Sequence, residues 1–217
     1  EFFQIKEEQA ENAKKTESFN AVRGYVATSI SESIYKMIRY CQLEKGIVVI
    51  DGDAGIGKTK AATKFLRDNP ATAIYIITTP STSLLRMIAR ALKISENQRT
   101  EDLSISIRER LRSSDNVLII DEAQNLKFMA LEEIRGWVDE DPITGKPGIG
   151  IALIGNDEVY NKMLGRQEAI FSQQFNRTKL HGRYRATNVT KEDVEKLFPS
   201  LVEKGMTPEL TYLYNVG

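Results

Sequence analysis

At 217 residues the chain has room for one α/β domain and a small appendage, and 41% hydrophobic with 28% charged residues is ordinary for a soluble globular protein. Its 30 basic and 30 acidic residues cancel, so no overall field draws in nucleic acid and any such binding must come from local clusters. One cysteine, Cys41, excludes an internal disulfide and a zinc set and points to a reducing, cytoplasmic setting; no apolar run approaches the ~18 residues of a membrane span, and no signal peptide is visible.

Residues 1–20 are rich in Glu, Lys, Gln and Asn with little periodicity and read as an exposed arm or weak helix. From 31 to 43, Ile34, Met37, Ile38 and Cys41 fall at i, i+3, i+4 and i+7, one face of a helix that Lys45 and Gly46 end. The run IVVID (47–51) is a short buried strand. GDAGIGKT (52–59) follows it and matches the phosphate-loop pattern G-x-x-x-x-G-K-[ST] at every fixed position. Backbone N–H groups from Gly52, Asp53, Ala54, Gly55, Ile56 and Gly57 can cradle phosphates. Gly55 and Gly57 let the backbone approach them without a Cβ clash. Lys58 can reach the β- and γ-phosphates, and the Thr59 hydroxyl can hold Mg²⁺. KTKAATKFLRDN (58–69) has helical spacing, so a helix N-terminus points its positive end at the same phosphates.

AIYIIT (73–78) is a second strand. Helices follow over 81–93, with Leu84, Leu85, Ile88, Ala89 and Leu92 on one face, and over 101–113, with Leu103, Ile107 and Leu111. VLIID (117–121) is a third strand. A helix carrying Leu131, Ile134, Trp137 and Val138 is broken by the loop DPITGKPG (141–148), and IGIALIG (149–155) is a fourth strand. Strands alternating with helices predict a parallel sheet with helices on both faces. After about residue 187 short helices take over, with a capping box at Thr190 and Asp193 and a helix start at Thr207-Pro208.

The third strand delivers two carboxylates, Asp121 and Glu122, to the sheet edge where ligands of open α/β sheets bind. Asp121 suits the Mg²⁺-associated role of a Walker B aspartate, and Glu122 suits a general base acting on the attacking water. A kinase of small molecules has no use for a water-activating carboxylate there, so hydrolysis is favoured over transfer to a metabolite. Asn156 ends the fourth strand. With that strand beside the Walker B strand, it would sit near the γ-phosphate and help position the water. The bland alternative is a turn-forming Gly-Asn.

These pieces together, GDAGIGKT, IIDEAQ, an asparagine ending the next strand and an arginine further on, resemble an AAA+ ATPase. Within that class, VIDGDAGIGKT, ITTPSTS (77–83), LIIDEAQNL (118–126) and LIGNDEVYNKM (153–163) followed by FNR (175–177) look like the transposition ATPases of the phage Mu B, TnsC and TniB type. The resemblance spans roughly residues 22–200 and implies an arm and helix over 1–45, an ATPase core over 46–187 and the start of a helical lid over 188–217. It also implies ATP-dependent homo-oligomers, often helical filaments, that wrap double-stranded DNA, select a transposition target and activate a transposase. ATP would lie between neighbouring subunits, with Arg177 as the arginine finger reaching a neighbour and Arg183 as second choice. The adenine base would be covered by the stretch holding Tyr25, Val26 and Thr28. The family's N-terminal helix-turn-helix is not evident in this sequence, and its late lid arginine would lie beyond Gly217 or be missing.

The resemblance places DNA against the loops after the second strand and before the fourth. There Thr79, Ser81, Thr82 and Ser83 offer hydroxyls and helix N-terminal amides, and Lys146 a charge, all suited to backbone phosphates rather than to base sequence. Arg86, Arg90 and Lys93 read as a basic stripe along one helix face. The competing reading is a secretion or helicase-loader module of the same class whose partner is protein.

Overall fold

The structure is a computed structural model that describes residues 21–81, 83–112, 115–164 and 178–216. The arm at 1–20, Thr82 and Arg177 lie outside the described residues. In chain order the elements are α1 (Ser29–Glu44), β1 (Gly46–Gly52), α2 (Lys58–Asp68), β2 (Ala73–Ile77), α3 (Leu84–Ala91), α4 (Thr100–Arg112) and β3 (Val117–Asp121). A 3₁₀ turn (Ala123–Asn125), α5 (Phe128–Arg135), β4 (Gly150–Gly155) and α6 (Asp157–Leu164) follow. The chain then runs through β5 (Thr178–Tyr184), a second 3₁₀ turn (Ala186–Asn188), α7 (Lys191–Leu197), α8 (Pro199–Glu203) and α9 (Thr207–Val216).

The strands form one five-stranded sheet in the order β2-β3-β4-β1-β5, parallel throughout. The continuous apolar runs of β1, β3 and β4 are explained by their central places, with both faces covered. Side chains alternate between the faces with period two. Ile47, Val49, Leu118, Ile120, Ile151 and Leu153 pack with α3, α4, α5 and Trp137 on one side. Val48, Ile50, Val117, Ile119, Ala152 and Ile154 pack with α1 and α2 on the other. The predicted parallel sheet with helices on both faces is what the chain forms.

Four local readings change. The strand β5 was not predicted: its sequence TKLHGRY holds few apolar residues, because an edge strand has one flank open to solvent and tolerates charge. The third helix begins at Leu84 rather than 81 and ends at Ala91, so Lys93, with φ 59°, lies past it. Trp137 and Val138 are buried but follow the end of α5 at Arg135. Helix α1, grouped with the arm by sequence, packs its Ile34, Ile38 and Cys41 into the core. Burial pushes the Cys41 thiol up to about 12, so it stays protonated and acts as a small apolar residue.

Helix α2 carries the phosphate loop's last residues and is anchored by Phe65, which is fully buried. The Phe65 ring centroid lies 4.9 Å from that of Tyr35 and 5.0 Å from the Arg39 guanidinium carbon, both on α1. Phe65→Ala removes that anchor and leaves a cavity, so stability falls by about 3–5 kcal/mol, seen as a lower urea midpoint at unchanged slope. A loss under about 1 kcal/mol would mean that α2 is held elsewhere.

Candidate functional site

The C-terminal edges of β1, β3 and β4 meet at one place, because Ile50 is in register with Ile154 and Ile120 with Leu153. That edge opens on a cleft of about 900 Å³. Gly52, Ala54, Gly55, Ile56, Gly57, Lys58 and Thr59 line it from the phosphate loop, and Asp121, Glu122 and Asn156 from the neighbouring strand ends. Asp53 is not among the lining residues. Its carboxylate accepts instead from Arg185 at 2.9 Å and from the Ala186 N–H at 2.8 Å.

The loop glycines are required by conformation rather than by space. Gly55 and Gly57 have φ of 83° and 95°, the left-handed region, yet a Cβ on either would meet nothing within 4 Å. Gly57 is the N-cap of α2 and no side chain caps that helix, which leaves its first-turn N–H groups to an anion. The Lys58 ammonium folds back to donate to the carbonyls of Gly52 at 2.8 Å and Asp53 at 2.6 Å. Burial lowers its pKa, while Asp121, Glu122, Asp53 and Asp51 pull in the opposite direction.

Asp121 is almost completely buried, and its carboxylate accepts three hydrogen bonds. Thr59 Oγ1 and Tyr75 Oη each donate to Oδ2 at 2.7 Å, and the Glu122 N–H donates to Oδ1 at 2.9 Å. Burial and the bond to Asp121 push the Tyr75 phenol far above its usual range, so it remains a donor. Glu122 has φ 56°, an unusual value for a residue with a side chain, and costs about 1 kcal/mol or more. Thr78 Oγ1 holds that backbone by donating to the Glu122 carbonyl at 2.7 Å. Asn156 lines the cleft and also caps α6, accepting from the Glu158 N–H at 3.0 Å. The turn-forming role and the place beside the site therefore coexist.

Of the stretch that the resemblance assigns to the adenine base, Val26 and Thr28 line the cleft; Tyr25 does not, and its hydroxyl accepts from Ser31 Oγ at 3.3 Å. Sequence reading missed the apolar wall opposite the loop, formed by Val194, Leu197, Phe198, Leu213 and Tyr214 of the last helices. The buried Asp193 ties this wall to the start of α1, accepting from the Ser29 N–H at 2.7 Å and the Thr190 N–H at 3.0 Å. Tyr75 was missed too, its signal being only one polar tip in a β-rich run.

The basic residues sort differently from the sequence reading. Arg183 donates from Nε to the fully buried Asp51 at 3.2 Å, and His181 Nε2 lies 3.0 Å from the same carboxylate. Arg183 is thereby paired within its own chain with the last residue before the phosphate loop. Arg185 spans Asp53 and Asp157. Arg90 pairs with Glu96 at 2.9 Å and Lys93 leaves the helix, which reduces the basic stripe to Arg86. Thr79, Ser81, Ser83 and Arg86 are exposed along the loop after β2 and the start of α3, and Lys146 is exposed before β4. Because the strands are parallel, these two loops leave opposite edges of the sheet.

Fold and site together define a P-loop ATPase of the AAA class. The chain belongs to the AAA domain family, whose sequence profile matches residues 41–163. It is similar to the Mu-like prophage FluMu DNA transposition protein B of Haemophilus influenzae, 33% identical over 158 residues, 70% of this chain and 53% of that protein. It is similar also to the ATP-dependent target DNA activator B of Escherichia phage Mu, 31% identical over 173 residues, 77% of this chain and 53% of that protein. The chain thus spans about half the length of the curated relatives it matches. Among solved structures it resembles Cdc6p from Pyrobaculum aerophilum, with TM-score 0.56 and 20% identity over 80% of this chain and 50% of that one. It also resembles the Aeropyrum pernix ORC1 protein in complex with DNA, with TM-score 0.53 and 14% identity over 81% of this chain and 49% of that one. At such identities the likeness is one of fold. Among the described residues no helix is long and apolar enough to cross a membrane.

Proposed function

We propose that this chain is the ATPase core of a transposition target activator: it binds ATP with Mg²⁺, oligomerises on double-stranded DNA, and releases it after hydrolysis. The observation that carries the ATPase part is the 2.7 Å bond between Thr59 Oγ1 and Asp121 Oδ2, with Glu122 next in the chain. A hydroxyl and a carboxylate at the mouth of a phosphate cradle are the hard oxygen ligands Mg²⁺ takes. Among the described residues no cluster of three or more His, Cys, Asp or Glu could hold a metal by itself, so phosphate and water oxygens would complete the shell. Mg²⁺ there would neutralise phosphate charge. Lys58 would turn from its loop carbonyls to the phosphates. Glu122 would take a proton from the attacking water, Asn156 would orient that water, and ADP would leave.

The DNA part draws on the relatives named as a DNA transposition protein and a target DNA activator. Thr79, Ser81, Ser83 and Arg86 would contact backbone phosphates, as would Thr82, while Lys146, at the opposite edge of the sheet, would meet a different stretch of the duplex. Arg177 would complete the ATP site of an adjoining subunit, and a transposase would read the assembled oligomer. A cytoplasmic setting accords with that role.

The test is duplex binding by the protein loaded with a slowly hydrolysed ATP analogue. Binding should be tolerant of sequence and should weaken steeply with salt, each phosphate contact adding about 0.9 to the log–log slope. Arg86→Ala should lower affinity evenly across sequences and flatten the slope by about one contact. An ATP-loaded protein that fails to shift long duplex DNA at low salt overturns the DNA part and leaves the hydrolytic part standing.

A further inference from the structure

Gln124 follows the two Walker B carboxylates by two residues and has no part in the chemistry described so far. Its side chain lies between the ends of β3 and β4, on the wall of the cleft. Nε2 donates to Glu122 Oε2, and Oε1 accepts from the Asn156 N–H at 3.4 Å. A carboxylate only accepts and a backbone N–H only donates, so a single orientation of the amide satisfies both. The residue's own carbonyl accepts from Lys162 Nζ on α6. A Cβ at position 155 would fall inside the contact distance of Gln124 Oε1 and of Val159, so a glycine at the end of β4 is what admits the amide.

We propose that Gln124 is a positioning residue: its amide sets the orientation of the Glu122 carboxylate and locks it to the Asn156 turn. This rests on the reading of Glu122 as the general base. A neutral donor engages Oε2 and leaves Oε1 to take the proton of water. It thus aims the carboxylate without pairing its charge, as a lysine or arginine would. The strained backbone of Glu122, held by Thr78, sets where the side chain starts. Gln124 sets where it ends. The titratable groups that interact with the Glu122 charge are Lys58 from α2 and Tyr75 from β2; Asp121 precedes it on β3, and Lys162 of α6 binds the Gln124 carbonyl.

The experiment is steady-state ATP hydrolysis by wild type, Gln124→Met, Gln124→Glu and Glu122→Gln across roughly pH 5.5 to 9, with ATP affinity measured in parallel. Gln124→Met keeps the volume and removes the donor. It should lower kcat about tenfold with ATP affinity within about twofold of wild type. Gln124→Glu sets a second carboxylate against Glu122, so the acid limb of kcat should move up by about one pH unit. A merely structural role would lower stability and leave that limb in place. If Gln124→Met fails to fold, the limb of Gln124→Glu decides. Wild-type kcat in Gln124→Met, or an unmoved limb in Gln124→Glu, overturns the proposal. Slow hydrolysis by Glu122→Gln beside wild-type behaviour of both Gln124 variants overturns the role of Gln124 alone. Wild-type hydrolysis by Glu122→Gln overturns the general-base reading itself.

Discussion

Glu122→Gln binds ATP as wild type does and hydrolyses it about 10²- to 10⁴-fold more slowly. The substitution keeps the shape and removes the proton acceptor. The binding apparatus survives because none of it depends on the Glu122 carboxylate. Thr59 still donates to Asp121 at 2.7 Å, and Thr78 and Asp121 still hold the backbone at position 122. The variant should therefore accumulate in its ATP-loaded state and, under the proposed function, stay on DNA. Phosphate release and binding of a fluorescent ATP analogue measure the two halves. Turnover within about threefold of wild type would sink the general-base assignment. Loss of binding together with turnover would mean that the left-handed backbone at position 122 depends on the side chain, and that the site is less rigid than its hydrogen bonds suggest.

Lys58→Ala acts on the other half of the site. The ammonium is partly buried, and its two present partners are loop carbonyls at 2.8 and 2.6 Å. Those are neutral acceptors. Triphosphate oxygens carry full charge and form bonds about twice as strong, so the exchange favours the nucleotide. Removing the ammonium leaves those phosphate oxygens short of a donor in a cleft shielded from water. The expected cost is about 3 kcal/mol, or an ATP affinity roughly a hundredfold weaker. Titration calorimetry with the ATP analogue checks it. The fold should hold, because Phe65 and the β1 core carry α2 without help from the ammonium. An affinity within about threefold of wild type would mean that the backbone cradle and helix terminus do the binding alone.

The elements nearest the chemistry were legible from the sequence. The phosphate loop with the strand before it and the helix after it forms one contiguous run, and the Walker B pair another, each with its order imposed by what it binds. The apolar runs of β1, β3 and β4 announced central strands, and their alternation with helices announced a parallel sheet. Strand β5 escaped because its charged sequence is shaped by an exposed flank rather than by a core. The basic residues were the least legible. Arg90 read as part of a basic stripe and Arg183 as a second choice of arginine finger, yet each has an acidic partner in its own chain. The partner of Arg183 is 132 positions away in Asp51, a distance no local pattern spans.

By itself the sequence determined that this chain holds a nucleotide by its phosphates and carries the carboxylates of a hydrolase, because such chemistry needs specific residue types at short, fixed spacings. Only the tertiary structure decided which charges remain for other partners. It also decided which apolar residues of the last helices wall the cleft, and how Tyr75, Thr78 and Gln124 hold the two carboxylates. Those matters depend on the convergence of strand ends far apart in the chain. The physical reason is that hydrogen bonds and ion pairs act over a few ångströms of space, whatever the separation in sequence.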